Sequence, residues 1–138
     1  MHYQDERTTG CRISDSWTYR GLKTVILENE ILNKPIDEKM AIKMLQKISN
    51  KTHEVSTGVC LRSKTQKVVF SELTHVSFNK LSLEMINYYI KNHQPFDKAG
   101  SYGIQEWMGF VGIKKIQGCY YNVMGLPLSS LYQKLLDL

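Results

Sequence analysis

Alternating apolar and polar residues predict several strands along this chain. The alternation over 52–62 and again over 67–79 predicts two strands, and the polar segment 63–66 between them predicts a hairpin turn. Over 24–32 the apolar residues flank a Glu-Asn-Glu turn, which predicts a strand, a tight turn and a returning strand. These segments together predict the strands of one sheet.

Helical spacing of apolar residues appears in three other segments. Asp37 precedes the first, which ends near Ser49, and Ser82 precedes the second, which ends before His93. Aspartate and serine are favoured helix caps, so each is predicted to begin a helix. A third, shorter helix is predicted over 128–136, close to the end of the chain.

The remaining segments complete the expected fold class. Apolar runs over 109–116 and 119–124 surround a Gln-Gly turn and predict two further strands. The resulting order is β, α, β, β, α, β, β, α, which predicts an α/β domain with helices packed on a mixed sheet. Residues 1–23 show neither period, so we expect a poorly ordered head and a domain over 24–138.

Composition narrows the classes of partner. With 138 residues, 42% hydrophobic and 22% charged, the chain predicts one globular domain. It has no apolar run of ~20 residues and no secretory signal, so we expect a cytoplasmic protein without a membrane partner. Three widely spaced cysteines predict reduced thiols. A net charge of +5 favours polyanionic ligands, although a solvated surface explains most of the scattered lysines.

The loop after the second predicted helix carries the strongest candidate chemistry. Asp97 and Lys98 are adjacent, and nearby glycines let backbone approach a ligand closely. The carboxylate suits a hard divalent cation and the ammonium suits phosphate oxygens. Gln105 can donate and accept hydrogen bonds at once, which suits the edge of a nucleobase, or it is only a loop-capping amide. Tyr102 is the tyrosine that we retain as a ligand contact.

Two other positions carry less specific signals. Lys34 precedes Pro35 at the end of the returning strand, where an ammonium can be held over a phosphate, although an ordinary turn lysine has the same pattern. His53 and Glu54 are adjacent in a predicted strand, so they point to opposite faces and are not expected to bind one metal ion.

Several of these motifs resemble, in the same order, those of the Maf-like nucleoside triphosphate pyrophosphatases. The resemblance covers 24–138 and rests on the loop 97–105 and on Ile-Leu-Asn-Lys-Pro at 31–35, Thr-His-Glu-Val-Ser-Thr-Gly-Val at 52–59 and Asn-Val-Met-Gly-Leu-Pro at 122–127. It implies the Maf or inosine-triphosphatase-like α/β fold, a bent mixed sheet with flanking helices and a deep cleft. It also implies hydrolysis of dTTP or UTP to the monophosphate and pyrophosphate, with magnesium or manganese as cofactor.

The resemblance also implies a role for each candidate residue. Asp97 would serve the metal or the attacking water, and Lys34 and Lys98 would clamp the phosphates. Gln105, together with Thr24, would select a pyrimidine base. A nucleoside triphosphate is therefore the expected partner, a homodimer is left open, and nucleic acid is not favoured.

The chain departs from the family pattern at its beginning. The family starts with a strand, a Ser-x-Ser-Pro-Arg-Arg loop and a helix, and 1–23 contains no such motif. When Thr24 is matched to the threonine of the family's Ala-Asp-Thr motif, Lys23 replaces the aspartate that acts as the catalytic base. We therefore expect an incomplete domain with reduced turnover. The alternatives are an inactive nucleotide-binding or interaction protein, or a basic RNA-binding domain, which only the pI and the tyrosines favour.

Overall fold

A computed structural model describes residues 9–12 and 17–137 of the chain. The described strands form one sheet with helices packed against it. The strands are β1 (Thr9–Arg12), β2 (Thr18–Leu27), β3 (Glu30–Leu32), β4 (Thr52–Arg62), β5 (Lys67–Phe78) and β6 (Ile113–Gln117). The helices are α1 (Glu38–Ile48), α2 (Leu83–His93), α3 (Trp107–Gly112), α4 (Tyr120–Met124) and α5 (Leu128–Leu136), with a short 3-10 turn at Ala99–Ser101.

The sheet is centred on β2, β4 and β5. β4 lies between β2 and β5, and β6 forms the edge beyond β5. The other side of β2 is shared by two short strands, because β1 pairs with 18–21 and β3 pairs with 25–27. Among the described residues, 22–24 therefore has no strand partner on that side of β2.

The α/β class with flanking helices is confirmed, but the described strand pairs differ from the expected mixed sheet because all of them are antiparallel. Two of the connections are tight hairpins, between β2 and β3 and between β4 and β5, and such turns reverse the chain. The crossover through α1 leaves β3 and β4 running in the same direction, but they lie on opposite sides of β2 and do not pair with each other.

The predicted caps of the first two helices are confirmed. Asp37 Oδ1 accepts a hydrogen bond from the Met40 amide at 2.8 Å, and Ser82 Oγ accepts one from the Met85 amide at 3.1 Å. Each bond satisfies one of the amides that the first turn of a helix leaves without a partner. The predicted helix over 128–136 is confirmed as α5.

One predicted strand is half wrong and another is wrong. Residues 109–112 belong to α3 and 113–116 belong to β6, whereas 119–124 contains α4. A short apolar run does not distinguish a strand from a buried helix by its period, so packing decides. Gly109 lies so close to the Ile104 carbonyl that a side chain there would clash, and Gly125, with φ at 113°, ends α4 in the left-handed conformation.

The expected boundary at residue 24 is also wrong for the residues just before it. β2 begins at Thr18 and pairs with β4 from the Thr18–Arg62 pair onwards, so 18–23 belongs to the sheet. The apolar signal is weak there because Gly21 and Lys23 occupy two inward-facing positions. Of the remaining head residues, 1–8 and 13–16 lie outside the described residues.

The described helices all pack on one face of the sheet. Buried residues from α1 to α4 cluster with Val25, Val55 and Val76, and Leu131 of α5 packs with Val59. The opposite face, which we call the bare face, has no described helix over it. It comprises Arg20, Leu22, Thr24 and Ile26 of β2, Glu54, Ser56, Gly58 and Cys60 of β4, and Val69, Ser71, Leu73 and His75 of β5. On this face Leu22, Val69 and Leu73 are 44%, 67% and 48% exposed.

The part of the chain that the structure describes contains no helix long and apolar enough to cross a bilayer.

Candidate functional site

Two distant segments of the chain meet beside β2. The Gly100 amide donates a hydrogen bond to the Asn33 carbonyl at 3.3 Å. Gly100 has φ at 74° and lies over Val25, where a Cβ would stand 3.2 Å from Val25 Cγ1. Glycine is therefore required by both its dihedral angle and the close approach. This contact joins the segment that carries Lys34 to the loop that carries Asp97 and Lys98.

Lys34 lies just beyond the end of the first hairpin. The last pair of that hairpin joins Val25 to Leu32, so the chain after β3 leaves beside the part of β2 that contains Lys23 and Thr24. Lys34 is partly buried there and interacts with neighbouring groups. Lys34, a candidate phosphate-binding residue, therefore follows β3 beside residues 22–24 of β2, which lie between the pairs made by β1 and β3.

Asp97 and Lys98 differ in exposure although they are adjacent. The Lys98 ammonium lies 3.8 Å from Asp97 Oδ2, and the two side chains are 32% and 73% exposed. The aliphatic part of Lys98 crosses Gly103, because a Cβ there would stand 2.9 Å from Lys98 Cε. Lys98 is therefore held along the loop, whereas the Asp97 carboxylate faces solvent and is accessible to an ion.

A carboxylate that the sequence analysis did not select lies in the same loop. Glu106 Oε1 accepts a hydrogen bond of 2.6 Å from the Tyr89 hydroxyl, and that hydroxyl accepts one of 3.2 Å from the Gly103 amide. Glu106 precedes α3 at the position of its N-cap, but its side chain does not bond to the helix amides. No sequence signal pointed to Glu106, because the apolar residues after it were predicted to form a strand and its partner Tyr89 lies on another element.

The structure does not support Tyr102 as a ligand contact. Its side chain is 3% exposed, its hydroxyl lies 2.6 Å from His53 Nε2, and its ring packs edge-on against Phe78. Burial raises the pKa of the Tyr102 hydroxyl far above its usual value. Ser101, with φ at 68°, immediately precedes Tyr102 at the end of the 3-10 turn, and Tyr102 lies in the core. Tyr102 is a core residue in this structure.

His53 is buried on the face that the helices cover, and Glu54 lies on the bare face. Burial, and then the nearby Lys23 ammonium, lowers the pKa of His53 from 6.5 to about 4. Glu54 Oε2 instead lies 3.5 Å from His75 Nε2. The prediction that His53 and Glu54 point to opposite faces is confirmed.

The remaining predicted site residues lie in different surroundings. Gln105 is exposed in the turn between Gly103 and α3. Thr24 lies on the bare face, because neighbouring residues of a strand alternate and Val25 points into the core. The loop 97–106 packs on the Val25 side, so Thr24 points away from Lys98. The structure therefore joins the segments of Lys34, Asp97, Lys98 and Gln105, and it separates Thr24 from them.

The donor set fits a metal ion that a ligand helps to hold. Among residues 9–12 and 17–137, no three His, Cys, Asp or Glu side chains are grouped closely enough to bind a metal ion by themselves. Magnesium commonly binds through one or two carboxylates, with substrate phosphates and water completing its coordination. The exposed Asp97 carboxylate satisfies that requirement, and the Lys98 ammonium lies 3.8 Å from it.

Several curated proteins resemble this chain closely. It is 54% identical over 113 residues to the dTTP/UTP pyrophosphatase of Flavobacterium psychrophilum, a match that covers 82% of this chain and 58% of the relative. The enzyme of the same name from Cytophaga hutchinsonii is 54% identical over 111 residues, or 80% of this chain and 51% of the relative. That from Phocaeicola vulgatus is 52% identical over 111 residues, or 80% and 58%. The chain spans little more than half the length of these relatives.

The family comparison covers nearly all of the described chain. A model of the family described as Maf-like protein matches residues 20–138, from the first half of β2 to the last residue. It includes Lys34, Asp97, Lys98 and Gln105 in one continuous match. The match and the arrangement of the strands and loops around these residues lead to one conclusion, that the chain belongs to the Maf-like protein family.

Proposed function

We propose that this chain is a nucleoside triphosphate pyrophosphatase that acts on dTTP and UTP with reduced turnover. The products are the nucleoside monophosphate and pyrophosphate. The observation that carries the proposal is the Gly100–Asn33 hydrogen bond, which joins the Lys34 segment to the Asp97–Lys98 loop. The names of three relatives that are 52–54% identical support the substrate class.

The proposed phosphate site uses positive charge from two segments. Lys34 and Lys98 would bind the phosphate oxygens, and the partly buried Lys23 of β2 adds a third ammonium on the side that the helices cover. A triphosphate carries several negative charges, and ammonium groups in a partly desolvated site stabilise the charge that develops on it. Asp97 would hold magnesium or manganese, which offsets the charge on the phosphates when bound.

The proposed base site is the turn that contains Gln105. An exposed amide can donate to one atom and accept from its neighbour on the edge of a pyrimidine. The turn lies next to Lys98 through Gly103, so one loop would contact both the base and the phosphates. Thr24 lies on the bare face, away from this turn, so the structure gives less support to its role in selecting the base than to that of Gln105.

Replacing Gln105 by alanine should weaken binding of dTTP and UTP much more than binding of pyrophosphate. A two-point contact with a base edge contributes roughly 1–3 kcal/mol of discrimination, which corresponds to about 5- to 150-fold in affinity. Isothermal titration with dTTP, UTP and pyrophosphate would measure the three dissociation constants. Gln133→Ala is the control, because Gln133 is an exposed amide on α5. If Gln105→Ala weakens all three ligands equally, Gln105 does not read the base.

Other expectations about partners remain predictions. The chain is expected in the cytoplasm and is not expected to bind nucleic acid, and the formation of a homodimer is left open. The basic RNA-binding alternative predicts an RNA affinity that falls steeply with salt, and a titration of the chain with single-stranded RNA at two salt concentrations would test it.

A further inference from the structure

A buried tyrosine of α2 contacts two residues of the turn that contains Gln105. The Tyr89 side chain of α2 is fully buried, and its hydroxyl contacts both Glu106 and the Gly103 amide. Burial, and then the hydrogen bond to Glu106, raises the pKa of Tyr89 far above its usual value. The hydroxyl therefore keeps its proton and donates a hydrogen bond to the carboxylate. The distance of 2.6 Å is in the usual range of a hydroxyl–carboxylate hydrogen bond, a type that is stronger than a bond between neutral groups.

Gly103 is packed between the two charged side chains of the loop. A Cβ on Gly103 would stand 2.8 Å from Glu106 Oε1 and 2.9 Å from Lys98 Cε. Both contacts are closer than real Cβ atoms make, so a side chain at this position would displace the Glu106 carboxylate and the end of Lys98. The Glu106 carboxylate and the stem of Lys98 are thus packed against the same backbone position.

The same contacts determine where Gln105 lies. Gln105 is covalently bonded to Glu106, and the Glu106 amide donates a hydrogen bond to the Gly103 carbonyl at 3.1 Å. The turn 103–106 is therefore closed by its own backbone bond and anchored to α2 by Tyr89. The end of the Lys98 side chain packs against Gly103 at the start of this turn, and Gln105 lies within it.

We infer that Tyr89 and Glu106 are positioning residues that hold Lys98 and Gln105 at a fixed separation, so that one nucleotide binds both at once. This inference rests on the proposed function, because it assigns the phosphates to Lys98 and the base to Gln105. Its physical basis is preorganisation. When two contacts are held at the spacing of one ligand, the second contact forms without a further entropic cost of ordering the loop.

The test compares a whole nucleotide with its parts. Dissociation constants for dTTP, thymidine and pyrophosphate would be measured at one magnesium concentration for the wild-type chain, Tyr89→Phe, Glu106→Ala and Glu106→Gln. Tyr89→Phe and Glu106→Ala should weaken dTTP about tenfold and leave the affinities for thymidine and pyrophosphate unchanged. Glu106→Gln should stay near wild type, because its amide oxygen still accepts from Tyr89. Tyr88→Phe is the matched control, since Tyr88 lies on the same helix and is half exposed.

The outcomes separate this inference from the proposed function. Equal weakening of all three ligands, or an unchanged dTTP affinity in Tyr89→Phe, would overturn the positioning role. If the wild-type chain binds no dTTP, the proposed function fails, and hydrogen exchange of the Gly103 amide then decides the positioning role on its own. Faster exchange in Tyr89→Phe than in Tyr88→Phe supports the anchor, and equal exchange in the two variants refutes it.

Discussion

Pyrophosphate release from dTTP by this chain should be roughly 10²–10⁴-fold slower than release by the Flavobacterium psychrophilum relative, because that range is typical for the loss of a general base. Lys23 stands where the resemblance places the catalytic aspartate. A lysine ammonium, with an ordinary pKa of about 10.4, holds its proton at neutral pH and cannot accept one from water. In the structure Lys23 lies on the same face of the sheet as His53 and lowers its pKa, so a positive charge stands at this position.

Two variants would locate the defect. Lys23→Asp alone should recover little activity, since the sequence tested contains no Ser-x-Ser-Pro-Arg-Arg motif to stabilise the phosphates. Fusing the beginning of the Flavobacterium psychrophilum relative ahead of β2, together with Lys23→Asp, should recover much more. Lys39→Asp controls for the change in net charge, because Lys39 is an exposed residue of α1. Turnover equal to that of the relative in the unmodified chain would show that another residue activates the water, and Asp97 would be examined next.

The chain should lose about 3 kcal/mol of stability between pH 6.5 and pH 4 through His53 alone. Burial holds the pKa of His53 at about 4 in the folded protein, against 6.5 in the unfolded chain. Above pH 6.5 the imidazole is neutral in both states and contributes no pH dependence. As the pH falls below 6.5, the unfolded chain takes up a proton that the folded protein does not, so unfolding becomes more favourable until the folded state is protonated near pH 4.

Urea unfolding of the wild-type chain and His53→Gln, at several pH values from 7.5 to 4.5, would measure this loss. The variant should be less stable at pH 7 because it disturbs the hydrogen bond to Tyr102, but its stability should fall less over this range. His75→Gln is the control, since His75 is a partly exposed histidine paired with Glu54 on the bare face. A wild-type slope no steeper than that of His53→Gln would show that His53 titrates at its ordinary pKa.

Local signals predicted the parts of the fold that depend on neighbouring residues. The caps at Asp37 and Ser82 and the hairpin between β4 and β5 follow from short-range chemistry, and all three are present. α4 was not predictable in this way. Its Tyr-Tyr-Asn-Val sequence favours strands, but Asn122 is buried and donates hydrogen bonds to Val55, Glu72 and Thr74. These long-range contacts override the local preference.

For the candidate site too, local motifs identified residues, whereas the contacts between distant segments could not be predicted. The resemblance selected Lys34, Asp97, Lys98 and Gln105 from local motifs. The contact that joins them is a hydrogen bond between Asn33 and Gly100, which no periodic pattern records. Glu106 was missed because its partner Tyr89 lies 17 residues away on another element. Tyr102 was misassigned because its glycine-bracketed loop indicated exposure, whereas a tertiary bond to His53 places it in the core.

The one-sided packing of the helices should make the two faces of β4 differ in how much substitution they tolerate. Its inward residues, from His53 to Leu61 at every second position, are buried, so substitution there has to preserve volume and shape. The residues between them lie on the bare face, where replacement disturbs few neighbours. Substitutions that a population tolerates in β4 should therefore recur with a period of two. One side of the domain can then acquire new surface chemistry while the other preserves the fold.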